Sequence, residues 1–297
     1  LTINSFTRLL FVFASLFVFG CQPDIRKDSL RTPIPLSDSA SLETHITTPS
    51  ASRQIAFISF TPTSETISTL TPKATPTSIT FDLISPFENI QINQLPEILS
   101  NPFALPSPGQ DDGHHGVDFS YYHFGAYASI EHQPIVSVLP GVVSAVINNR
   151  PPYGNAIIVE TNWQLLSPFI KTKIGEPKFP ELISYSAYIN CPQINPQLIL
   201  SNDNTKSMYV LYAHMESNPT FMVGDLVTQG QQLGNVGNTG MSGNPHLHLE
   251  TRVGPAHATF SSMAHYDNQS TNEEMANYCF WRVSNYFILI DPMLFFS

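Results

Sequence analysis

Between residues 110 and 255 the apolar positions come in short runs and not at helical intervals. QPIVSVLPGVVSAVI (133–147) holds two β-branched runs split by Pro140-Gly141, a turn signal. GNAIIVET (154–161) reads as a further strand, and SMYVLYAHM (207–215) alternates loosely with Tyr209, Leu211 and Ala213 on one side. DLVTQGQQLGNVGNTG (225–240) carries a glycine every few residues, which suits tight turns between short strands. No proline-free helical pattern of ten or more residues occurs in this region. The pattern predicts a mostly β fold, a small antiparallel sandwich or barrel-like pair of sheets. Upstream, FDLISPFENIQINQLPEILS (81–100) has room for a short strand and a helical turn.

Two stretches break the strand rhythm. About 45 residues separate the strand ending near Glu160 from the one starting at Ser207, far more than the two to five of a hairpin. This insertion, about 162–204, contains LLSPFI and YSAYI, which read as a cap or a helix–loop over a groove. The tail from ATFSSMAHY to FILIDPMLFFS is expected to cover an edge of the sheet. The other break is N-terminal. Arg8 precedes the apolar run LLFVFASLFVF (9–19), which is shorter than a membrane span and fits the core of a secretory signal. Gly20-Cys21 directly after it resembles a bacterial lipobox, although Val18 and Phe19 depart from the usual residues. Residues 1–20 are therefore expected to be a lipoprotein-type signal peptide, with plain secretion or an uncleaved anchor as alternatives. Residues 21–94 are expected to be a disordered tether. Within it, TPTSETISTLTPKATPTSIT (61–80) holds fourteen Ser, Thr or Pro in twenty residues, with little apolar area to offset ordering entropy. The folded domain is expected over 95–297. This organisation places the protein on the extracytoplasmic face of the cell envelope, lipid-anchored through Cys21 to the membrane, or else secreted.

Composition narrows the partners. The net charge is −10 with only 12% charged residues, and no basic stripe exists, so nucleic acid is excluded. Of three cysteines, a lipidated Cys21 leaves Cys191 and Cys279. They form either one bridge, as an oxidising compartment permits, or two buried thiols. Such a bridge would staple the insertion to the tail.

The ten histidines carry the candidate chemistry. His132 reads as a loop residue, and His123, His257 and His265 stand alone. In GNPHLHLE (243–250) the period of two puts His246 and His248 on one strand face, while Leu247 and Leu249 fill the core from the other. His214 ends an apolar run at a sheet rim. His114, His115 and Asp118 flank Gly116. A mixed His/Asp set of this kind can hold Zn²⁺ through two nitrogens and one oxygen, with a fourth position left for water.

HHGVD (114–118), LYAHM (211–215) and GNTGMSGNPHLHLE (237–250) resemble, in order, the three signature segments of the LytM/lysostaphin-type zinc endopeptidases, peptidase family M23. VGDLVTQGQQLGNVG (223–237) is similar to that family's glycine-rich turn repeat, and DPMLFF to its closing segment. Met215, Asn244 and Leu249 depart from the motifs. The resemblance spans about 110–162 and 205–255. It implies a duplicated-hybrid-motif fold, zinc ligation by His114, Asp118 and His248, and catalytic roles for His214 and His246. His115, at the variable position of the first motif, is expected to face solvent. The implied activity is hydrolysis of peptide bonds in bacterial peptidoglycan by a monomer. The alternatives are a non-catalytic factor of the same fold that binds peptidoglycan or an amidase, and a surface binding module with a structural metal site.

Overall fold

In the computed structural model, residues 79–121, 129–177, 189–192 and 205–296 are described. The signal-like run, most of the proposed tether, His123 and most of YSAYI lie outside them. Among the described residues no helix is long and apolar enough to cross a membrane.

Chain order begins with a short helix α1 (Leu95–Ile98), then β1 (Leu99–Asn101), β2 (Val117–Phe119), β3 (Pro134–Val136), β4 (Gly141–Arg150) and β5 (Gly154–Asn162). Helix α2 (Pro168–Ile174) follows, capped by the Ser167 hydroxyl, and begins within the LLSPFI segment at its proline. Then come β6 (Lys206–Met215), β7 (Leu226–Val227), β8 (Gln232–Asn235), β9 (Leu247–Pro255), helix α3 (Asn272–Arg282) and β10 (Ile288–Ile290). The main sheet is antiparallel and runs β1-β2-β9-β6-β5-β4-β7, with β10 pairing β9 beyond the end of β2. β3 and β8 form a separate pair. The sheet is open at β1 and β7, so the barrel-like alternative is corrected: the fold is mostly β and antiparallel but not a closed barrel.

Both faces of the central strands are buried, which is why β5 and β6 read as near-continuous apolar runs. Ile157, Val159, Met208, Val210 and Tyr212 point to one core, shared with Ile135, Val138 and Leu233 around the small sheet. Ala156, Ile158, Tyr209, Leu211 and Ala213 point to the other, shared with Phe260 and α3. The first core also takes in Leu83, Phe87 and Ile90, so packing begins upstream of the expected start at 95. In the tail, β10 covers part of β9 as an edge element, while α3 lies on a face. That helix is a finding against expectation. Five successive residues, Asn277 to Trp281, are buried, so no amphipathic stripe advertises it. Its N-terminal signal was readable: the Thr271 hydroxyl and the Glu274 carboxylate form a reciprocal capping box. Cys191 and Cys279 are bonded to each other, tying the insertion to α3.

Candidate metal centre

The register of the sheet assembles the site. Asp118 on β2 lies directly opposite His248 on β9, so their side chains share a face. His114 reaches the same point from the segment before β2, where its backbone exchanges two hydrogen bonds with Ala104 (2.8 and 2.9 Å). His246, two residues before His248, shares that face and brings its Nε2 to 3.6 Å from Asp118 Oδ1.

His214 needs a special device. Ala213 pairs with His248, so strict alternation would send His214 to the opposite face. The pairing of β5 with β6 slips by one residue between Tyr212 and Met215, and His214 adopts a left-handed backbone with φ 59°. This bulge turns its ring toward the histidines of β9, 4.6 Å from the His246 ring between centroids. The loop holding it depends on glycine. Gly154 (φ +69°) and Gly240 (φ +77°) press their backbones together, and a Cβ on Gly154 would lie 2.3 Å from the Thr239 carbonyl carbon. That contact delivers the Thr239 carbonyl to His214.

Hydrogen bonding sets each tautomer, because a carbonyl or carboxylate oxygen only accepts. His114 Nδ1 donates to the Pro102 carbonyl (2.9 Å), His214 Nδ1 to Thr239 (2.8 Å) and His246 Nδ1 to Asn244 (2.7 Å). His248 Nε2 donates to Glu250 Oε1 at 3.2 Å. The remaining atoms of three residues then converge: His114 Nε2 and His248 Nδ1 stand 3.1 and 2.8 Å from Asp118 Oδ1, and 3.2 Å from each other. Three lone-pair atoms this close repel unless a proton or a metal cation stands among them. With protons in that place, His114 and His248 donate to Asp118, and the electrostatics follow from it. Burial alone would lower the His248 pKa, yet hydrogen bonds and charge from Asp118 and Glu250 carry it up to about 9. Burial would raise Asp118, but hydrogen bonds from His114 and His248 hold it far below the usual carboxylate range. At His214, burial together with the neighbouring His248 and His246 lowers the pKa to about 3.

These five residues line one cleft of about 470 Å³, with Tyr153, Tyr278 and Arg282 on its wall. The set of two imidazoles and one carboxylate fits zinc by number and kind of donor. Among the described residues one other group has ligand spacing, Cys191, His265 and Cys279, but its sulfurs are spent in the disulfide.

Residues 192–260 match the model of peptidase family M23. The M23 segment includes His214, His246 and His248, while His114 and Asp118 precede it. No curated protein matches the chain. Similar solved structures include a zinc-containing peptidase from Vibrio cholerae, 18% identical with TM-score 0.32, over 58% of this chain and 37% of that one. Another is the catalytic domain of the antimicrobial peptidase lysostaphin from Staphylococcus simulans, 20% identical with TM-score 0.30, over 56% and 87%. A third is the catalytic domain, carrying a point mutation, of the prophage-encoded M23 protein EnpA from Enterococcus faecalis, 20% identical with TM-score 0.30, over 55% and 85%. The chain thus spans little more than a third of the Vibrio cholerae peptidase.

The expectation for His115 is corrected. It is fully buried, accepts from Arg252 Nη2 at Nδ1 (2.8 Å), and donates from Nε2 to the Asp112 carbonyl (3.2 Å). Burial and the nearby Arg282 and Arg252 charges lower its pKa to about 3. His132 is exposed beside Glu216, as a loop residue should be. The residues behind the ligands carry no motif of their own. Glu250 is buried and accepts from His248, Tyr153 (2.8 Å), Arg252 (3.0 Å), Trp281 (3.0 Å) and Arg282 (3.0 Å). Two of those donors lie on α3, which no motif marked.

Proposed function

We propose that the chain is a zinc-dependent endopeptidase that hydrolyses peptide bonds in bacterial cell-wall peptidoglycan. The observation carrying this reading is the convergence of His114 Nε2, Asp118 Oδ1 and His248 Nδ1, each held by a partner on its far side or by sheet register. The M23 match supports a peptidase, and the resemblance of the three motif segments supports the cell wall as substrate. His114, Asp118 and His248 would hold the ion, which when bound supplies a Lewis acid and lowers the pKa of water.

The chain's own groups do the rest. With Nδ1 committed to the Thr239 carbonyl, His214 offers Nε2 to the cleft, and its low pKa keeps it neutral near pH 7. His246 likewise offers Nε2, with Nδ1 held by Asn244. Both atoms are placed to take a proton from an attacking water or return one to a departing amine. Buried Tyr153 and Tyr278 form part of the cleft wall beside these two rings.

The test uses the full chain. The purified protein should carry zinc and release new amino termini, identified by mass, from purified peptidoglycan. His214→Ala and His246→Ala should each keep zinc and lose roughly 10²–10⁴ in rate. A parent with full zinc that releases no amino termini would favour the non-catalytic binding factor. The same proposal puts the enzyme at the envelope surface as a lipoprotein. Palmitate labelling should mark the parent and not Cys21→Ser; equal labelling of both would refute the anchor.

A further inference from the structure

We propose that Arg282 is a positioning residue that clamps the two halves of the proposed ligand set together from α3. The inference rests on the zinc reading above and names a group which neither the motifs nor the M23 segment contains. The halves come from distant parts of the chain. His248 stands on β9, in the interior of the sheet. His114 stands in an irregular segment before the three-residue β2. Sheet register ties Asp118 to His248 but leaves His114 to its surroundings.

Arg282 reaches both halves with separate nitrogens. Its Nη1 donates to Glu250 Oε1 (3.0 Å), the same oxygen that accepts from His248 Nε2 (3.2 Å). Its Nε donates to Asp111 Oδ1 (2.7 Å), three residues ahead of His114. Asp111 is fixed in turn at Oδ2 by the hydroxyls of Tyr266 (2.5 Å) and Tyr278 (2.6 Å). One planar guanidinium thus spans two carboxylates 139 positions apart (250 − 111 = 139), a task a single ammonium cannot match in geometry. Metal-bound histidines depend on the acceptor behind the ring for orientation and basicity, and losing that partner typically costs about 10–100-fold in metal affinity.

The helix is built to hold this clamp still. Its start is closed by the Thr271–Glu274 capping box, and Glu274 also takes two hydrogen bonds from Arg150 (2.7 and 2.9 Å). Near its end, Cys279 lies one turn before Arg282 and is bonded to Cys191. Trp281 Nε1 adds a hydrogen bond to Glu250 Oε2 (3.0 Å).

The test compares full-length parent, Arg282→Met, Arg282→Lys and Asp111→Asn. Zinc affinity is measured by competition with a chromophoric chelator, the visible spectrum is recorded for Co²⁺-substituted protein, and folding is checked by thermal unfolding. Arg282→Met should bind zinc about 10–100-fold more weakly and shift the Co²⁺ bands. Arg282→Lys should fall between it and the parent. Asp111→Asn keeps the Glu250 arm and loses charge only on the His114 side, so it should show a smaller loss; it also serves if Arg282→Met does not fold. Folded variants with the parent's affinity and spectrum would overturn the proposal and leave Arg282 a purely structural residue. A parent that binds neither ion would refute the zinc reading itself, and the positioning role with it.

Discussion

Leu247, Leu249 and Val253 project from one face of β9 into the first core, while His248, Glu250 and Arg252 project from the other. The two faces are buried to the same degree and belong to the same strand. On the apolar face, each leucine stabilises the fold simply by leaving water, on the order of 1.5–3 kcal/mol per side chain. On the polar face burial is a cost. It is offset only because the pairing is complete: Glu250 meets five donors, and Arg252 also donates to the Trp281 and Phe287 carbonyls. The apolar face tolerates loose definition, since area has no direction. The polar face fixes where each ring nitrogen points, which a metal site requires.

This contrast can be broken at neighbouring positions. His248→Ala should have the largest functional effect, with essentially all zinc and turnover lost while unfolding stays cooperative. Zinc retained at parental stoichiometry would remove His248 from the ligand set. Leu249→Ala, one residue along, should behave oppositely. It should cost about 2–5 kcal/mol in a denaturant titration, yet its folded fraction should hold zinc like the parent. A loss of zinc at unchanged stability would mean the faces are not separable. The smallest effect is expected for His115→Ala, which strips Arg252 of one buried acceptor and should cost about 1–3 kcal/mol with zinc retained. Zinc lost in His115→Ala but retained in His114→Ala would show that the doublet had been assigned the wrong way round.

The difference between the faces also explains how far the sequence could be read. Alternation is local, so His246, His248, Leu247 and Leu249 sorted correctly from spacing alone, as did Tyr209, Leu211 and Ala213 on β6. His115 did not. Next to a glycine in a loop-like segment it looked exposed, and only the arrival of Arg252 from another strand makes it a buried acceptor. His214 lay outside simple alternation as well, since its direction depends on a bulge and a left-handed backbone. The acid closing GNPHLHLE was visible, but nothing nearby in sequence announced Tyr153, Trp281 or Arg282 as its partners.

The sequence by itself determined the central strands, the turn glycines and which side chains are chemically able to bind a metal or carry a proton, because periodicity and residue type act over a few positions. The tertiary structure decided the open sheet, the placement of α3 on its face, and the buried carboxylates behind the histidines. Those features depend on register and on contacts between segments as far apart as 31 to 171 positions, where no local pattern carries the information.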